Sequence, residues 1–424
     1  MDQLAKNILK HSEDKTFSAL AEHLQNNSEL LARQDSQSLD NLIEALDVSQ
    51  QSLGVLAILC AKVHLSSVGE FQLLLDQVTT FTTFYDGEQI SYARVTFASL
   101  YHQFTKVAVK QGKALCAINV LKMAIDKYRT APTKLTSLHA DLVQLCLAAK
   151  CVRPVLPYLD QDVDDFILEG SSSESSEHIV RYYYYGGLVY TLVRNYQRAV
   201  LFFTVCLSTP ASAISAIMLE AYKKYVLVSL LKQGKVSALP KYTSHVVDRY
   251  VKPLCGMYNE IAKVYSSYEV SKVTAVIDKY AEPLTRDNNL GLAKRVLASL
   301  YHRNVQKLTK TFLTLSLSDM TSRLKLQDVR QAEKYTLEMI ESKEIFATID
   351  HSNGMVSFHD NPEKYNGPLM ADYIDEEMRK CIEIEKKLAS FDQQIAVDQK
   401  FIQRMLGGSS TYEDDSFYTD EGLM

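Results

Sequence analysis

Residues 181–190 read RYYYYGGLVY, four consecutive tyrosines running into two glycines. Such a cluster can line a pocket with phenols, stack on bases, or pack one helix on another. The choice decides whether the chain is an enzyme, a nucleic-acid binder or a scaffold. The residues downstream select packing. If a second helix comes close at Gly187, Ala199 and Phe203 fall where that helix places a small residue and an aromatic.

That spacing follows the tetratricopeptide pattern of an aromatic, a glycine, a second aromatic, A-x3-F and a proline. Tyr183 takes the first aromatic position and Tyr190 the second, and Pro210 lies one residue from the expected proline. Tyr183, Gly187, Tyr190, Ala199 and Phe203 are therefore expected to face the stack, with Tyr182, Tyr184 and Tyr185 on other faces. Related hairpins read at 109–124 and 230–242, each with Gln-Gly-Lys where a glycine suits the inter-helix turn. Residues 148–159 hold the same place without the glycine. The equivalents of Tyr183 are Tyr101, His139 and Tyr222, a period of 38–44 residues that predicts stacked helical hairpins. Residues 169–178, EGSSSESSEH, read as a polar loop. Further on, Leu297, Tyr301, Val305, Leu308 and Phe312 form one apolar helix face, with Asp287, Asn288 and Asn289 as candidate N-caps.

The chain has 424 residues, 46% hydrophobic and 23% charged, with a formal net charge of -5. That balance predicts neither a nucleic-acid binder nor a mimic of one. Seven scattered cysteines with no C-x-x-C argue against a disulfide framework or zinc module. The start shows no apolar leader, and the longest apolar run, 53–63, is too short for a bilayer, so a soluble intracellular protein without membrane contact is expected. Prolines are absent from 1–131 and 284–361, leaving both free for long regular elements.

Beyond residue 310 the pattern changes. Residues 314–326 read as a short strand, then Ser318 as N-cap, then a helix. Residues 327–344 read as a second helix capped by Asp328, with Val329, Ala332, Tyr335, Leu337 and Ile340 as its apolar set. Ile345, Ala347 and Ile349 alternate, as do Val356 and Phe358, and His351-Ser352-Asn353-Gly354 joins the two runs as a hairpin. Helix, helix and hairpin make a winged helix. Those five alternating residues are expected at a protein interface, because the sheet edge is a template for an added strand. Next, Ile374, Cys381, Leu388, Ile395 and Ile402 repeat every seven residues, with Ile384, Phe391 and Met405 beside them and Asp398 interrupting. This heptad seam needs a partner to cover it. The fold class is thus mostly α, a right-handed helical-hairpin solenoid (1–285), a winged-helix region (286–366), a long C-terminal bundle helix (371–405) and a disordered acidic tail (406–424).

A helical-hairpin solenoid followed by a winged helix resembles the PCI family, shared by the proteasome lid, the COP9 signalosome and translation initiation factor 3. Within it, residues 135–151, 182–191, 218–244, 308–326 and 344–366 resemble the subunit 3 family of the COP9 signalosome. The resemblance implies a non-catalytic subunit of an eight-subunit assembly that removes Nedd8 from cullins. It implies other signalosome subunits as partners, through the winged-helix sheet and a shared helical bundle, and cullin-RING ligases through the assembled complex. It implies the cytoplasm and nucleus as location.

No catalytic, cofactor-binding or metal site is expected. The related catalytic subunit uses a Glu with H-x-H and a distant Asp, and this chain has neither H-x-H nor H-E-x-x-H. Nor does it carry a phosphate-binding glycine loop. His359-Asp360 reads as a strand end and turn rather than a base and its orienter. The helix that would enter a DNA groove sets Arg330 and Lys334 against Glu333, Glu338 and Glu341, too acidic to lie on phosphates. Basic stretches at 223–252 and 286–310 read as solvated surface or as a face for an acidic partner.

Overall fold

The computed structural model describes residues 2–65, 71–129, 131, 133–161, 163, 165–167, 172–210, 213–326, 328–360 and 367–407. The acidic tail from 408 and the turn at 361–366 lie outside these. In chain order the helices are α1 (Asp2–Glu13), α2 (Phe17–Asn26), α3 (Ser28–Ala32), α4 (Ser36–Ala45), α5 (Ser52–Leu65), α6 (Phe71–Phe84), α7 (Gly87–Ile90), α8 (Arg94–Lys110), α9 (Ala114–Tyr128), α10 (Ser137–Ala148), α11 (Leu156–Leu159), α12 (Ser172–Val193), α13 (Tyr196–Ser208), α14 (Ala216–Gln233), α15 (Lys252–Leu254), α16 (Gly256–Tyr265), α17 (Val270–Lys279), α18 (Ala281–Arg286), α19 (Leu290–Thr309), α20 (Leu317–Leu324), α21 (Val329–Glu341), α22 (Pro368–Val397) and α23 (Gln399–Gly407). The strands are β1 (Lys134–Leu135), β2 (Asp165–Phe166), β3 (Thr314–Ser316), β4 (Phe346–Asp350) and β5 (Met355–His359). The chain divides into two compact units, residues 1–311 with 320–336, and residues 312–319 with 337–424.

The first unit is a run of helices, each packed on its neighbours in sequence: α8 on α9, α10 on both, α12 on α10, and α14 on α12 and α13. The inter-helix turns share one device. Gly112 and Gly234 adopt φ of +69° and +74°, and Lys150 and Arg194 take the same left-handed conformation without being glycine. The second arms are unequal. Pro154 and Pro157 shorten the arm after Lys150 to α11. After Gly234 the expected second helix does not form, because Pro240 interrupts it, and residues 235–239 run irregularly instead. Arg303 from α19 donates to the carbonyl of Leu231 at 3.2 Å and closes the end of α14.

The tyrosine stretch lies within α12, which begins at Ser172. The loop expected at 169–178 is therefore helical from 172 on, with Glu177 and Arg181 paired one turn apart. A second correction concerns the tyrosines. Tyr182, not Tyr183, is the fully buried ring, 1% exposed, while Tyr183 is half-buried. The reason is that α12 is covered on two sides. Tyr182, Gly186 and Tyr190 form an i, i+4, i+8 line against Phe202, and Tyr182 also meets the His139 ring edge-on at 6.2 Å. One position round, Gly187 faces Phe203, and a Cβ there would lie 2.7 Å from that ring. Tyr190, Ala199 and Phe203 are buried. Tyr101, His139, Tyr182, Tyr222 and Tyr258 thus form a series of buried rings, one per repeat.

Two further helix faces differ from expectation. In α19 the buried line is Ala293, Val296, Leu300 and Val305, so Val305 is buried as expected, while Leu297 and Tyr301 are half-buried and Tyr301 stacks on Tyr335 at 5.3 Å. Asn289 does not cap α19 with its side chain, which is held by Lys224 and the Tyr258 hydroxyl. In α21 the buried line is Ala332, Thr336 and Met339, while Val329 and Leu337 are exposed.

The second unit contains an antiparallel sheet of order β3-β5-β4. The β3 strand ends one residue earlier than expected, so Ser316 rather than Ser318 accepts from the Asp319 N–H, at 3.0 Å. The β4–β5 turn is held by Asp350, whose carboxylate accepts from the Ser352 N–H at 2.9 Å and the Asn353 amide at 2.8 Å.

Candidate functional site

The sheet and the C-terminal helices carry an open strand edge and a bare apolar stripe, and each follows from its backbone. In β5 the Phe358 N–H donates to Leu313 at 2.8 Å, and Gly354 accepts from Leu317 at 2.9 Å. The even residues of β5 therefore face β3 and the odd ones face β4. With Thr348 opposite Ser357 and Ala347 opposite Phe358, the N–H and C=O groups of Ala347 and Ile349 point away from the sheet. This is the open edge. Side-chain parity runs the other way. Ile345, Val356 and Phe358 are buried, and Ala347 and Ile349 are half-buried on the same inner face. The expectation that these five side chains meet a partner is corrected for Ile345, Val356 and Phe358, which cover their own core, while Ala347 and Ile349 keep part of their surface exposed and add outward backbone groups. His359 closes the strand pair by hydrogen-bonding Thr348 at 2.9 Å.

The seam is placed differently. Pro368 starts α22 at a position where its missing N–H costs nothing. The helix runs 30 residues, about 45 Å. None of its residues is buried. Ile374, Cys381, Ile384, Leu388, Phe391 and Ile395 all lie on α22 and all are exposed, Leu388 by 63% and Phe391 by 46%. Ile402, also exposed, lies on α23, because the backbone leaves the helix at Asp398 (ψ 122°). The single helix expected over 371–405 is thus two. Charged side chains pair among themselves along α22, Arg379 with Asp375 at 2.7 Å and Lys380 with Glu377 at 2.9 Å. They stabilise the helix without shielding the stripe.

Burying the seven seam side chains would yield roughly 10–20 kcal/mol before association costs. Those costs run to about 4–15 kcal/mol. The gain and the cost are of the same order, so a stripe left bare on α22 is large enough to matter to association.

Several members of the basic stretches are paired within the chain. Lys223 pairs with Glu220 at 2.6 Å and with Asp287 at 3.0 Å. Lys252 pairs with Asp248, Arg286 with Glu282, and the Lys307 ammonium lies over the Tyr268 ring.

One polar cluster escaped the sequence reading. His102 lies 3.0 Å from Asp141, and Arg181 donates to its other nitrogen at 3.4 Å. The His178 ring stands perpendicular to His102 at 5.8 Å, and burial holds it below the usual histidine range. The residues come from α8, α10 and α12, one repeat apart, and that spacing was the available signal. Two histidines, one carboxylate and one guanidinium link the first helices of three successive repeats. Among the described residues no group of three or more His, Cys, Asp or Glu converges as a metal site would, and no helix is long and apolar enough to cross a membrane.

Comparison with known proteins supplies the rest. A family model described as COP9 signalosome complex subunit 3, N-terminal helical repeats, matches residues 14–247, and a PCI domain model matches residues 277–360. The chain is 41% identical over 408 residues to the COP9 signalosome complex subunit 3 of Drosophila melanogaster, covering 92% of this chain and 91% of that protein. It is 34% identical over 385 residues to the protein of the same name from Dictyostelium discoideum, covering 89% and 91%.

Proposed function

The chain belongs to the COP9 signalosome subunit 3 family, and from that premise we propose that it is a non-catalytic scaffold subunit of the COP9 signalosome, the complex that removes Nedd8 from cullins and so regulates cullin-RING ubiquitin ligases. The observation that carries this reading is the bare apolar stripe of α22. In the proposed division, residues 1–285 form the repeat arm, 286–366 the PCI module and 371–405 the part that enters a bundle with other subunits. The open edge at Ala347 and Ile349 supplies a second contact by strand addition. The assembled complex, rather than this chain alone, meets cullin-RING ligases, in the cytoplasm and nucleus.

A chain ending at residue 367 tests this. It is expected to keep its helical circular dichroism and its melting transition while failing to co-purify with the other subunits, as read by native mass spectrometry against the full chain. A truncated chain recovered in a stoichiometric complex would remove α22 from the interface. Recovery of the full chain with proteasome-lid or ribosomal partners instead would replace the reading altogether.

A further inference from the structure

The N-terminal repeats enclose a slot that assembly does not explain. It has a volume of about 330 Å³ and lies along α5, between α2, α3 and the start of α8. Its floor is Leu24, Leu31, Leu53 and Leu56, all buried. Alanines at 21, 57, 61 and 93 line its sides and leave the helices apart without filling the gap. Gln25, Ser28 and His64 are exposed at the mouth. The floor is thus dry and the rim polar, the usual arrangement of a small-molecule site.

The dimensions choose the occupant. Leu53 and His64 both line the slot and lie eleven residues apart on α5, a length of about 16 Å. All the space between the walls, about 900 Å³ with the open mouth included, averages about 55 Å² in cross-section over that length, still below the roughly 80–110 Å² of a helix with its side chains. A partner's helix cannot enter. One unbranched hydrocarbon chain can, and extended at about 1.3 Å per carbon the length of about 16 Å takes about twelve. We propose that this slot binds a single linear amphiphile, an acyl chain of about ten to twelve carbons with its polar end at the mouth beside His64. The binding is non-covalent. Cys60, the thiol on the wall, donates to the Thr96 carbonyl at 3.4 Å, and burial pushes it up to about 12, so it stays protonated.

The test is calorimetric titration of the full chain with sodium dodecanoate below its micellar concentration, beside the variants Ala57→Phe and Ala57→Leu. Ala57 is half-exposed, so either side chain can fill the slot without displacing the core. One dodecanoate per chain is expected, weakened more than about tenfold by Ala57→Phe and less by Ala57→Leu, with melting temperatures unchanged or raised. If Ala57→Phe fails to fold, Ala57→Leu alone carries the comparison. Saturation that ignores both substitutions would mean the amphiphile coats the α22 stripe and overturns the proposal. So would the absence of saturable binding. Loss of binding once the chain is assembled with its partner subunits overturns it too, since a partner's side chain then fills the slot.

Discussion

At the scale of single residues, two tyrosines of one stretch should behave oppositely. The Tyr182 hydroxyl is buried with no hydrogen-bond partner among the described residues, whereas Tyr190 donates to Asp160 at 2.7 Å. Tyr182→Phe removes an unmet polar group and is expected to be neutral or stabilising by up to about 1 kcal/mol, and Tyr190→Phe to cost about 1–2 kcal/mol. Urea melts of the two variants decide it, and equal losses would contradict the packing described. His139 offers a pH test. Burial lowers it from 6.5 to about 4, and its Nδ1 accepts from the Thr136 N–H at 3.1 Å. The fold holds the neutral ring, while the unfolded chain takes its proton near 6.5. Stability is therefore full above about pH 6.5 and lost as pH falls towards 4, by about 3 kcal/mol at most. His139→Gln keeps the cap and should flatten that part of the profile. Gly187 opposite Phe203 was legible in the sequence because A-x3-F fixes a distance. Which tyrosine is buried was not. Four consecutive residues point to nearly every side of a helix, and the choice is made by α10 on the far side.

At the scale of elements, strand and turn chemistry read well, and charged polar segments read poorly. Alternation and Asn353-Gly354 located the β4–β5 hairpin, yet alternation describes the inner face, so three of the five side chains it named, Ile345, Val356 and Phe358, are buried in the core. The outward groups of β4 carry no side-chain signature. Ala347→Pro tests them: it removes an N–H that points out of the sheet, which an edge strand tolerates. The hairpin should persist with a near-native melt, while affinity for the neighbouring subunit falls by up to about tenfold, one lost hydrogen bond. Unchanged assembly would exclude strand addition at this edge. Residues 172–178 were misread because serine and glutamate resemble a loop. The Glu177–Arg181 pair and the strongly packed helix beyond them extend α12 instead. Residues 235–239 were misread the other way, since the glycine signal at Gly234 was real and Pro240 overruled what should have followed.

At the scale of the whole molecule, the repeat period was the most legible feature, because each hairpin must bury a face on the next. Contacts between repeats were much less so. His102, Asp141, His178 and Arg181 are unremarkable in a linear scan and meet only when the repeats are laid side by side. The Lys223–Asp287 pair was hidden for the same reason, since its partners lie dozens of residues apart. The apolar repeat of the seam was readable up to Ile395, and the break at Asp398 that puts Ile402 on a second helix was not.

That seam has a consequence for how much of the protein a cell can keep. A copy made in surplus has nothing to cover its stripe, and quality control removes chains that display one. The protein's abundance should therefore follow that of its partners rather than its own messenger. Depleting a bundle partner is expected to shorten the half-life of this chain with its transcript level unchanged. A chain lacking α22 should escape that turnover, and equal pulse-chase decay of the two forms would argue against it.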